Sequence, residues 1–294
     1  MRNIERGVLL EQVELAPFTT WKMGGRAEQF YWPHDLSDLS AFIATVPAEV
    51  PITFLGLGSN TLVRDGGVKG LVILTQAALK ELSLLNLNQV RAEAGVASAQ
   101  AARFSVKNQL TGIEFLAGVP GSIGGALVMN AGACGGQTWE HIHHVETLDR
   151  QGVFRKRFPG EFDIRYRTVL GLPEGEFFVA AIFSLVAGNS ELAQQKIREF
   201  LDHRANTQPT HLPSCGCVFK NPEGNHASKL IDEAGLKGTK MGGLQISEKH
   251  ANFMVNIGQA RARDAENLIA FVQEKIKKQY GIELHPEVKI IGEE

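Results

Sequence analysis

Residues 112–136 read GIEFLAGVPGSIGGALVMNAGACGG, and eight of these twenty-five positions are glycine. The earlier stretch 54–63, FLGLGSNTLV, combines glycine with small and apolar residues in the same way. Glycine lacks the Cβ that keeps a ligand away from the backbone, and it tolerates positive φ. Successive amides in such turns can point into one concavity and bind phosphate oxygens. Tight turns of a β-rich protein would explain either stretch alone, but together they predict a cofactor that contains a pyrophosphate.

The order of elements around Gly56 excludes the usual dinucleotide-binding fingerprint. That motif needs a strand, then G-x-G-x-x-G, then the N-terminus of a helix. Here Gly56-Leu57-Gly58 is followed by SNT and LVRDGG, which predict a strand and another turn. The sequence also lacks the G-x-x-x-x-G-K-[ST] pattern of a P-loop. We therefore expect loop amides between β-rich elements to hold the cofactor.

Composition sets wide limits on the class of protein. The chain has 294 residues, of which 44% are hydrophobic and 21% charged, as in ordinary globular proteins. A net charge of −2 gives no basic footprint for nucleic acid. The N-terminus carries charges throughout, and no apolar run is long enough to span a membrane, so neither a signal peptide nor an anchor is expected. The odd cysteine count and the absence of C-x-x-C spacing favour a reducing cytoplasm.

Hydrophobic periodicity predicts an α+β architecture, with a larger N-terminal cofactor unit and a smaller unit from about residue 201. The charged helix from Ser190 to His203 is interpreted as a connector, and 206–213 as a loop. The other predicted helices are 35–44, 98–110, 227–234 and 264–280. Asp35 is the expected cap at the start of the first, and Gly235 and Gly281 are the expected caps at the ends of the last two. Predicted strands are 52–55, 70–74, 90–96, 145–148 and 177–183.

Three later segments hold more functional side chains than a fold requires. Arg165 and Arg167 alternate with apolar residues, so on a strand they would share one face, either solvated or functional. The run 213–222, PSCGCVFKNP, either caps a hairpin or places a thiol, an ammonium and an amide close together. In the tail 284–291, an apolar strand is interrupted by Glu287, which is an edge charge or a buried acid with a partner. The sequence alone favours the edge charge.

A group of histidines, His141, His143 and His144, invites a metal-binding interpretation. Convincing carboxylate or cysteine partners do not accompany them in the sequence. We interpret them as histidines on a strand surface and expect no metal.

The chain resembles the UDP-N-acetylenolpyruvoylglucosamine reductase family, whose other name is UDP-N-acetylmuramate dehydrogenase. The resemblance extends over nearly the whole chain, and it is of the compact type without a substrate-capping insertion. It rests on segments that occur in the family's order and at about its spacing: GLGSNTLVRDGG, GVPGSIGGALVMNAGACG, RYR, GCVFKNP, SKLIDEAGLKG, GGLQISEKHANFMVN and HPEVKIIG.

This resemblance implies a fold, a cofactor and a reaction. The fold is a two-part FAD-binding region of the flavin-oxidase (PCMH-like) type over 1–200, divided near 85, with a UDP-sugar domain at 201–294 whose last strand returns to the flavin site. FAD is bound non-covalently. NADPH is the hydride donor, through the site also used by the UDP-sugar. The enolpyruvyl ether of the UDP-sugar is reduced to the lactyl ether of UDP-N-acetylmuramate for peptidoglycan synthesis in the bacterial cytoplasm.

Three residues match the family's catalytic positions. Arg167, in the Tyr-Arg pair, matches the family's catalytic arginine. Its expected role is to stabilise the developing enolate, since a guanidinium suits a planar anion. Glu287 matches the carboxylic acid of the Pro-Glu-Val tail. Cys217 stands where the family generally has serine, the proton donor to C2, and a thiol is the stronger acid. A neighbouring cation would lower its pKa and leave a thiolate that cannot donate, so we expect a falling alkaline limb in the rate. Cys215 is the second candidate for this acid.

The resemblance also implies binding residues. Those expected at FAD lie in the two glycine segments: Gly56, Gly58, Ser59, Asn60, Thr61, Pro120, Gly121, Ser122, Gly124, Gly125 and Asn130. Those expected at the diphosphate and sugar are Tyr166, Lys220, Asn221, Lys229 and His250. A solvated helix face is an equal alternative for Lys229. Two other functions stay open, a flavin-dependent oxidase acting on a sugar or lactone, and a non-catalytic protein that binds flavin or nucleotide sugar.

Overall fold

The computed structural model describes residues 7–76 and 78–294. The α-helices are α1 Leu36–Ile43, α2 Ser98–Lys107, α3 Ile123–Met129, α4 Ser190–Thr207, α5 Ala227–Glu233 and α6 Ala262–Tyr280. The strands are β1 Val8–Glu14, β2 Arg26–Trp32, β3 Ile52–Leu55, β4 Thr61–Val63, β5 Val68–Leu74, β6 Leu82–Asn86, β7 Gln89–Glu93, β8 Leu110–Thr111, β9 Gly132–Ala133, β10 Gly136–Gln137, β11 Ile142–Leu148, β12 Phe154–Arg157, β13 Asp163–Arg165, β14 Thr168–Leu170, β15 Phe177–Ser184, β16 Val186–Ala187, β17 Ser214–Cys217, β18 Lys240–Met241, β19 Leu244–Ile246, β20 Phe253–Asn256 and β21 Lys289–Ile291.

The chain divides into two compact units. The first contains the described residues of Met1–Glu11 together with Gln29–Leu57 and Gly70–Asp202, and the second contains Gln12–Glu28, Gly58–Lys69 and His203–Glu294. The second unit thus takes two N-terminal segments in addition to the C-terminal third of the chain. No helix in the described ranges combines the length and apolar character needed to cross a membrane.

A four-stranded sheet with one helix packed on it belongs largely to the first unit. The sheet has the order β1-β2-β5-β3, and β3 pairs with β5 in parallel. Helix α1 begins, as the sequence predicted, behind Asp35, whose carboxylate accepts a hydrogen bond from the amide of Asp38. Leu39 and Ile43 of this helix are fully buried among the apolar residues of the sheet. The helix and the sheet therefore share one apolar core.

The rest of the first unit is built on an antiparallel sheet in the order β12-β11-β15-β7-β6. The central strand β15 is buried along most of its length, which explains the uninterrupted apolar run that predicted it. Helices α2 and α3 contribute buried side chains to the core of this part of the unit. Helix α2 ends at Lys107, earlier than the predicted Leu110, which lies in the short strand β8.

The predicted shared face of Arg165 and Arg167 is wrong. Strand β13 ends at Arg165, and β14 begins at Thr168, so Tyr166 and Arg167 form a two-residue hairpin turn. Arg167 has φ 53°, a left-handed conformation that no regular strand contains. The alternating pattern did not distinguish a continuous strand from a tight hairpin.

The second unit packs α5 and α6 with a sheet in the order β17-β20-β19-β18. Helix α6 ends at Gly281, which has φ 71° and donates its amide to the carbonyl of Lys277, as the C-cap prediction requires. The tail forms a strand only over Lys289–Ile291, shorter than predicted. That strand, β21, pairs in parallel with β4, and this pairing ties segment 58–69 to the C-terminus.

Candidate functional site

The first glycine segment is fixed by close backbone packing. A Cβ at Gly56 would collide with Oγ of Ser122, within the first unit. Gly58 has φ 60°, and a Cβ there would stand 2.5 Å from the carbonyl oxygen of Phe18, within the second unit. Both positions therefore require glycine for reasons internal to their own unit.

The residues after Gly58 connect to the C-terminal tail of the second unit. The side-chain amide of Asn60 donates to the carbonyl oxygen of Glu287 at 3.1 Å, and Thr61 pairs with Lys289 in the β4–β21 ladder. Ser59, which lies between Gly58 and Asn60 in the chain, is half-buried. This stretch, expected to bind a cofactor, also holds the tail that carries Glu287.

The second glycine segment forms the start of α3. Ser122 is the N-cap and accepts a hydrogen bond from the amide of Gly125 at 3.4 Å, and the amide of Gly124 donates to the carbonyl of Ala94 at 2.9 Å. Gly121 has φ 149°, and Pro120 before it is exposed. These contacts fix the turn that leads into the helix.

Gly118 and Gly125 of this segment leave open space beside the backbone. A Cβ added to Gly118 would meet no heavy atom within 4 Å, and at Gly125 it would meet only Oγ of Ser122, at 3.8 Å. Internal packing therefore does not explain glycine at these positions. A backbone surface without side chains is what a large planar or phosphorylated ligand needs for close approach. The segment fits the pyrophosphate-containing cofactor that the sequence predicts.

Arg167 is held at its turn by backbone carbonyls. Its Nη1 donates to the carbonyl oxygen of Asn130 at 3.3 Å, and its Nη2 donates to that of Gly132 at 2.6 Å. Tyr166, 47% exposed, places its ring 5.0 Å from the guanidinium carbon. Arg165 instead pairs with the carboxylate of Asp163 at the surface. The two arginines, equivalent in the sequence pattern, thus have different partners.

Cys217 and Cys215 differ in exposure. Strand β17 has an irregular register between Ser214 and Cys217, with Gly216 at φ 80°. Cys217 is half-buried, whereas Cys215 is 2% exposed. Burial raises the pKa of the Cys215 thiol well above its ordinary value, and the nearby Cys217 and Glu287 act in the same direction. Cys215 therefore lies in the core, and Cys217 is the better placed of the two to meet a ligand.

The second unit brings Cys217 and Glu287 together through their backbones. The amide of Glu287 donates to the carbonyl of Val218 at 2.7 Å, and the amide of Lys220 donates to that of His285 at 2.9 Å. The chain from Cys217 to Lys220 therefore runs beside the tail. Glu287 is half-buried. Its exposure is therefore intermediate between the two alternatives that the sequence left open, an exposed edge charge and a buried acid.

A cleft of about 400 Å³ in the second unit contains two of the predicted substrate residues, Lys229 and His250. Lys249, which the resemblance places beside His250 in the expected substrate region, also lines the cleft, and so does Lys237, which sequence reasoning missed. Lys237 lies 2.6 Å from the carboxylate of Asp232, and Lys229 lies 3.8 Å from that of Glu233. Burial and then the charge of Lys237 lower the pKa of His250, although a backbone hydrogen bond opposes the shift. The cleft thus combines lysines with a neutral imidazole.

Two further predicted substrate residues, Lys220 and Asn221, lie on the loop before α5. Oδ1 of the Asn221 side chain accepts a hydrogen bond from the amide of Ala227 at 3.1 Å and so fixes the start of that helix. Lys220 is half-buried, and its backbone is bonded to the tail as described above. Neither residue is among those that line the cleft.

The histidines lie in and before β11. His144 is buried, and its Nδ1 lies 2.7 Å from Nδ1 of His143. Burial, with the charges of Lys156 and His143, lowers the pKa of His144 to about 4, while Glu146 opposes the shift. The His144 imidazole is therefore neutral at pH 7.

The chain matches known proteins over nearly its whole length. Residues 27–156 match a family described as FAD binding domain, and residues 208–291 match the C-terminal domain of UDP-N-acetylenolpyruvoylglucosamine reductase. The reductase of that name from Legionella pneumophila (strain Corby) is 50% identical over 98% of this chain and 94% of its own length. The one from Alkalilimnicola ehrlichii is 48% identical over 99% of this chain and 97% of its own length.

A solved structure gives the same result for the fold. The crystal structure of UDP-N-acetylenolpyruvylglucosamine reductase from Thermus caldophilus superposes with a TM-score of 0.82 at 32% identity, over 98% of this chain and 99% of that one. The chain therefore belongs to the UDP-N-acetylenolpyruvoylglucosamine reductase family.

Proposed function

We propose that this chain reduces UDP-N-acetylenolpyruvoylglucosamine to UDP-N-acetylmuramate, with FAD as its non-covalent cofactor and NADPH as hydride donor, in peptidoglycan precursor synthesis. Family membership over the full length supports the activity. The structural observation that carries the proposal is the hydrogen bonding of the Cys217–Lys220 segment to the tail around Glu287. These backbone hydrogen bonds support a shared role for the Cys217 thiol and the Glu287 carboxyl group, because the reaction needs an acid and a second proton-carrying group.

The reaction has two electrostatic requirements. Adding hydride to C3 of the enolpyruvyl group builds enolate character at C2, in conjugation with the carboxylate. A cation must stabilise that charge, and an acid must deliver a proton to C2. Bound FAD supplies the hydride relay between NADPH and C3.

We assign the cation to Arg167. Its guanidinium is held by two carbonyl oxygens, those of Asn130 and Gly132. A planar guanidinium offers two parallel donors to a carboxylate or enolate, which a lysine does not. The neighbouring Tyr166, with its exposed ring, is assigned to the substrate side of this turn.

We assign the proton donor to Cys217 and the supporting acid to Glu287. Cys215 is less suited, because its thiol is buried. Cys217 has the exposure that contact with a ligand requires. Glu287, when protonated, can donate a hydrogen bond to the enolate, and its backbone is fixed by Val218 and Asn60.

The cleft at Lys229, Lys237 and His250 is assigned to the nucleotide diphosphate. Lysine ammonium groups are compact charges suited to phosphate oxygens. Three lysines, at positions 229, 237 and 249, line the cleft against two carboxylates, those of Asp232 and Glu233, so its charged side chains are positive in sum. We assign Lys220 and Asn221 to the sugar.

In domain terms, we assign FAD to the region 1–200 and the UDP-sugar to 201–294. The family matches at 27–156 and 208–291 support this division. The open space beside Gly118 and Gly125 supports the first part of it. We place the reaction in the bacterial cytoplasm, where NADPH is available as donor.

The test is an anaerobic stopped-flow experiment on the holoenzyme. The flavin is reduced with one equivalent of NADPH, and UDP-N-acetylenolpyruvoylglucosamine is then added. Rapid flavin reoxidation with formation of UDP-N-acetylmuramate is expected. If the enzyme-bound flavin is bleached by NADPH but never reoxidised by the enolpyruvyl sugar, the chain is a different flavoprotein. A sugar or lactone oxidase, or a non-catalytic binding protein, is not favoured, because the C-terminal family match covers 208–291.

A further inference from the structure

Asn130 occupies an unusual position at the end of α3. It is the C-terminal cap of the helix in left-handed conformation, with φ 41° and ψ 54°, and it is only 3% exposed. Asparagine tolerates this conformation better than most residues, but not as freely as glycine. A buried, left-handed asparagine needs compensation from specific contacts.

The side chain of Asn130 supplies such contacts within the first unit. Its Nδ2 donates to Oε1 of Gln137 at 2.9 Å and to the carbonyl oxygen of Arg165 at 3.3 Å. Its Oδ1 accepts from the amide of Trp139 at 3.2 Å. The amide group is therefore engaged at both ends by protein atoms, and it connects α3 with the β13–β14 hairpin.

The backbone of the same residue contacts Arg167. The carbonyl oxygen of Asn130 accepts from Nη1 of Arg167, and that of Gly132, two residues on, accepts from Nη2. Because Asn130 is left-handed, the chain reverses here, so that its own carbonyl and that of Gly132 both face the guanidinium. A Cβ at Gly132 would stand 3.2 Å from Nη1, so the approach is close.

We propose that Asn130 is the positioning residue of Arg167: its side chain anchors the hairpin at Arg165, and its left-handed backbone aims the carbonyl that holds the guanidinium. This inference rests on the function proposed above for Arg167. It also gives Asn130 a different role from the cofactor contact expected from the sequence, since both ends of its amide are used by protein groups. Arg167 lies two residues beyond the anchored carbonyl of Arg165, so the anchor restricts the turn that carries it.

A displacement of about 1 Å in a group that meets the transition state can cost about 10²-fold in rate. Loss of the anchor therefore acts on the step in which Arg167 stabilises charge, the transfer to the enolpyruvyl sugar. Reduction of the flavin by NADPH does not use that charge. A cofactor contact would have the opposite signature, because weaker FAD binding affects both half-reactions.

The variants separate the side chain from the backbone. Asn130→Gly keeps the left-handed conformation and removes the anchor, and Asn130→Asp keeps the shape but replaces the Nδ2 donor with an acceptor. Asn108→Gly is the matched control: Asn108 also caps a helix, α2, and its side chain donates to the carbonyl of Phe104, away from Arg167. Each variant is made alone and together with Arg167→Ala.

The experiment measures three quantities on the holoenzyme: the FAD dissociation constant by flavin fluorescence, the rate of flavin reduction by NADPH, and the rate of reoxidation by the enolpyruvyl sugar. We expect reoxidation in Asn130→Gly to fall by about 10-fold or more. The FAD dissociation constant and the reduction rate should stay within about 2-fold, and Asn108→Gly should behave as wild type. In the Arg167→Ala background, the Asn130 change should have little further effect.

Two results would overturn the inference. A raised FAD dissociation constant with both half-reactions slowed would make Asn130 a cofactor contact. A full, multiplicative effect in the Arg167→Ala background would show that it acts independently of the arginine. If Asn130→Gly does not fold, Asn130→Asp is judged by the same criteria. Failure of the proposed function is a separate outcome, because wild type itself would then not be reoxidised.

Discussion

The side-chain amide of Asn60 donates a hydrogen bond to the carbonyl oxygen of Glu287 at 3.1 Å, and the amide of Lys289 donates to the carbonyl of Asn60 at 2.9 Å. Asn60 thus bonds to the residue that carries the proposed acid and to the second residue after it. Both contacts lie within the second unit. The asparagine of the first glycine segment therefore helps to fix the backbone of the tail at Glu287.

Asn60→Ala tests this relationship. The variant should lose about 1 kcal/mol of unfolding free energy, the usual contribution of one hydrogen bond, measured by urea unfolding. Reoxidation of the reduced flavin by the enolpyruvyl sugar should slow about 10-fold, because Glu287 loses a fixed backbone contact.

The control for this variant is Asn86→Ala, whose exposed side chain bonds to neighbours in its own hairpin, Oε1 of Gln89 and the amide of Asn88. It should leave both quantities unchanged. If Asn60→Ala raises the FAD dissociation constant while the FAD-saturated enzyme reoxidises at the wild-type rate, Asn60 serves the cofactor and not the tail.

The cysteines of β17 should differ sharply in their effect on turnover. Cys217→Ala should reduce turnover by about 10²-fold or more, the usual contribution of a general acid, and Cys217→Ser should retain more activity because a hydroxyl can still donate. Cys215→Ala removes only a buried thiol and should keep turnover near wild type.

The same series is then followed against pH. A thiol ordinarily ionises near pH 8.5, so the wild-type rate should fall at alkaline pH as the donor is lost. The serine hydroxyl introduced by Cys217→Ser does not titrate in this range, so the limb should disappear in that variant. A flat wild-type profile through pH 9, with the chemical step limiting the rate, would remove Cys217 as the acid.

Local signals in the sequence predicted much of the fold. Apolar residues at helical spacing follow Asp35 and precede Gly281. As these caps predict, α1 begins directly after Asp35 and α6 ends directly before Gly281. Such signals work because a cap satisfies orphan backbone groups within a few residues of itself. The family resemblance, carried by motifs in order, added the cofactor and the reaction.

What the sequence did not show depends on contacts between distant residues. Asn60 bonds to a residue 227 positions away, and no local pattern encodes such a pair. The Tyr166–Arg167 turn was missed because neither residue is a usual turn former. Lys237 lines the cleft only because of the tertiary fold. Its position two residues after Gly235, where α5 was predicted to end, could have indicated that it lies close to Lys229 of that helix. The roles of the candidate residues remain predictions.

The lysine cleft should determine affinity for the nucleotide diphosphate. Lys237→Ala should weaken UDP binding about 10-fold in calorimetry, because a cation near a phosphate contributes about 1–2 kcal/mol. The maximum rate at saturating substrate should change little, since this contact is the same in the ground state and the transition state.

The matched control is Lys278→Ala, a lysine of α6 outside the cleft, which should bind UDP as wild type does. The wild-type affinity should also weaken with added salt, as expected for an ionic contact. Equal UDP affinity in wild type and Lys237→Ala would move the diphosphate to another part of the second unit.

The buried His144 should make stability depend on pH. Its pKa is lowered to about 4 by burial and by Lys156 and His143, with Glu146 opposing, whereas an unfolded histidine titrates near 6.5. Between about pH 6.5 and pH 4 the unfolded chain therefore binds a proton at this histidine and the folded chain does not. The stabilisation is present above pH 6.5 and is lost as the pH falls towards 4. The free energy of unfolding of wild type should fall by about 1–2 kcal/mol more than that of His144→Gln between pH 7.5 and 5 in urea unfolding, after allowance for solvent around the ring.

The control is His203→Gln, which replaces an exposed histidine of α4 and should keep the wild-type slope. Parallel pH profiles for wild type and His144→Gln would mean that the pKa of His144 is the same in the folded and unfolded chains, with the charge of Glu146 offsetting burial.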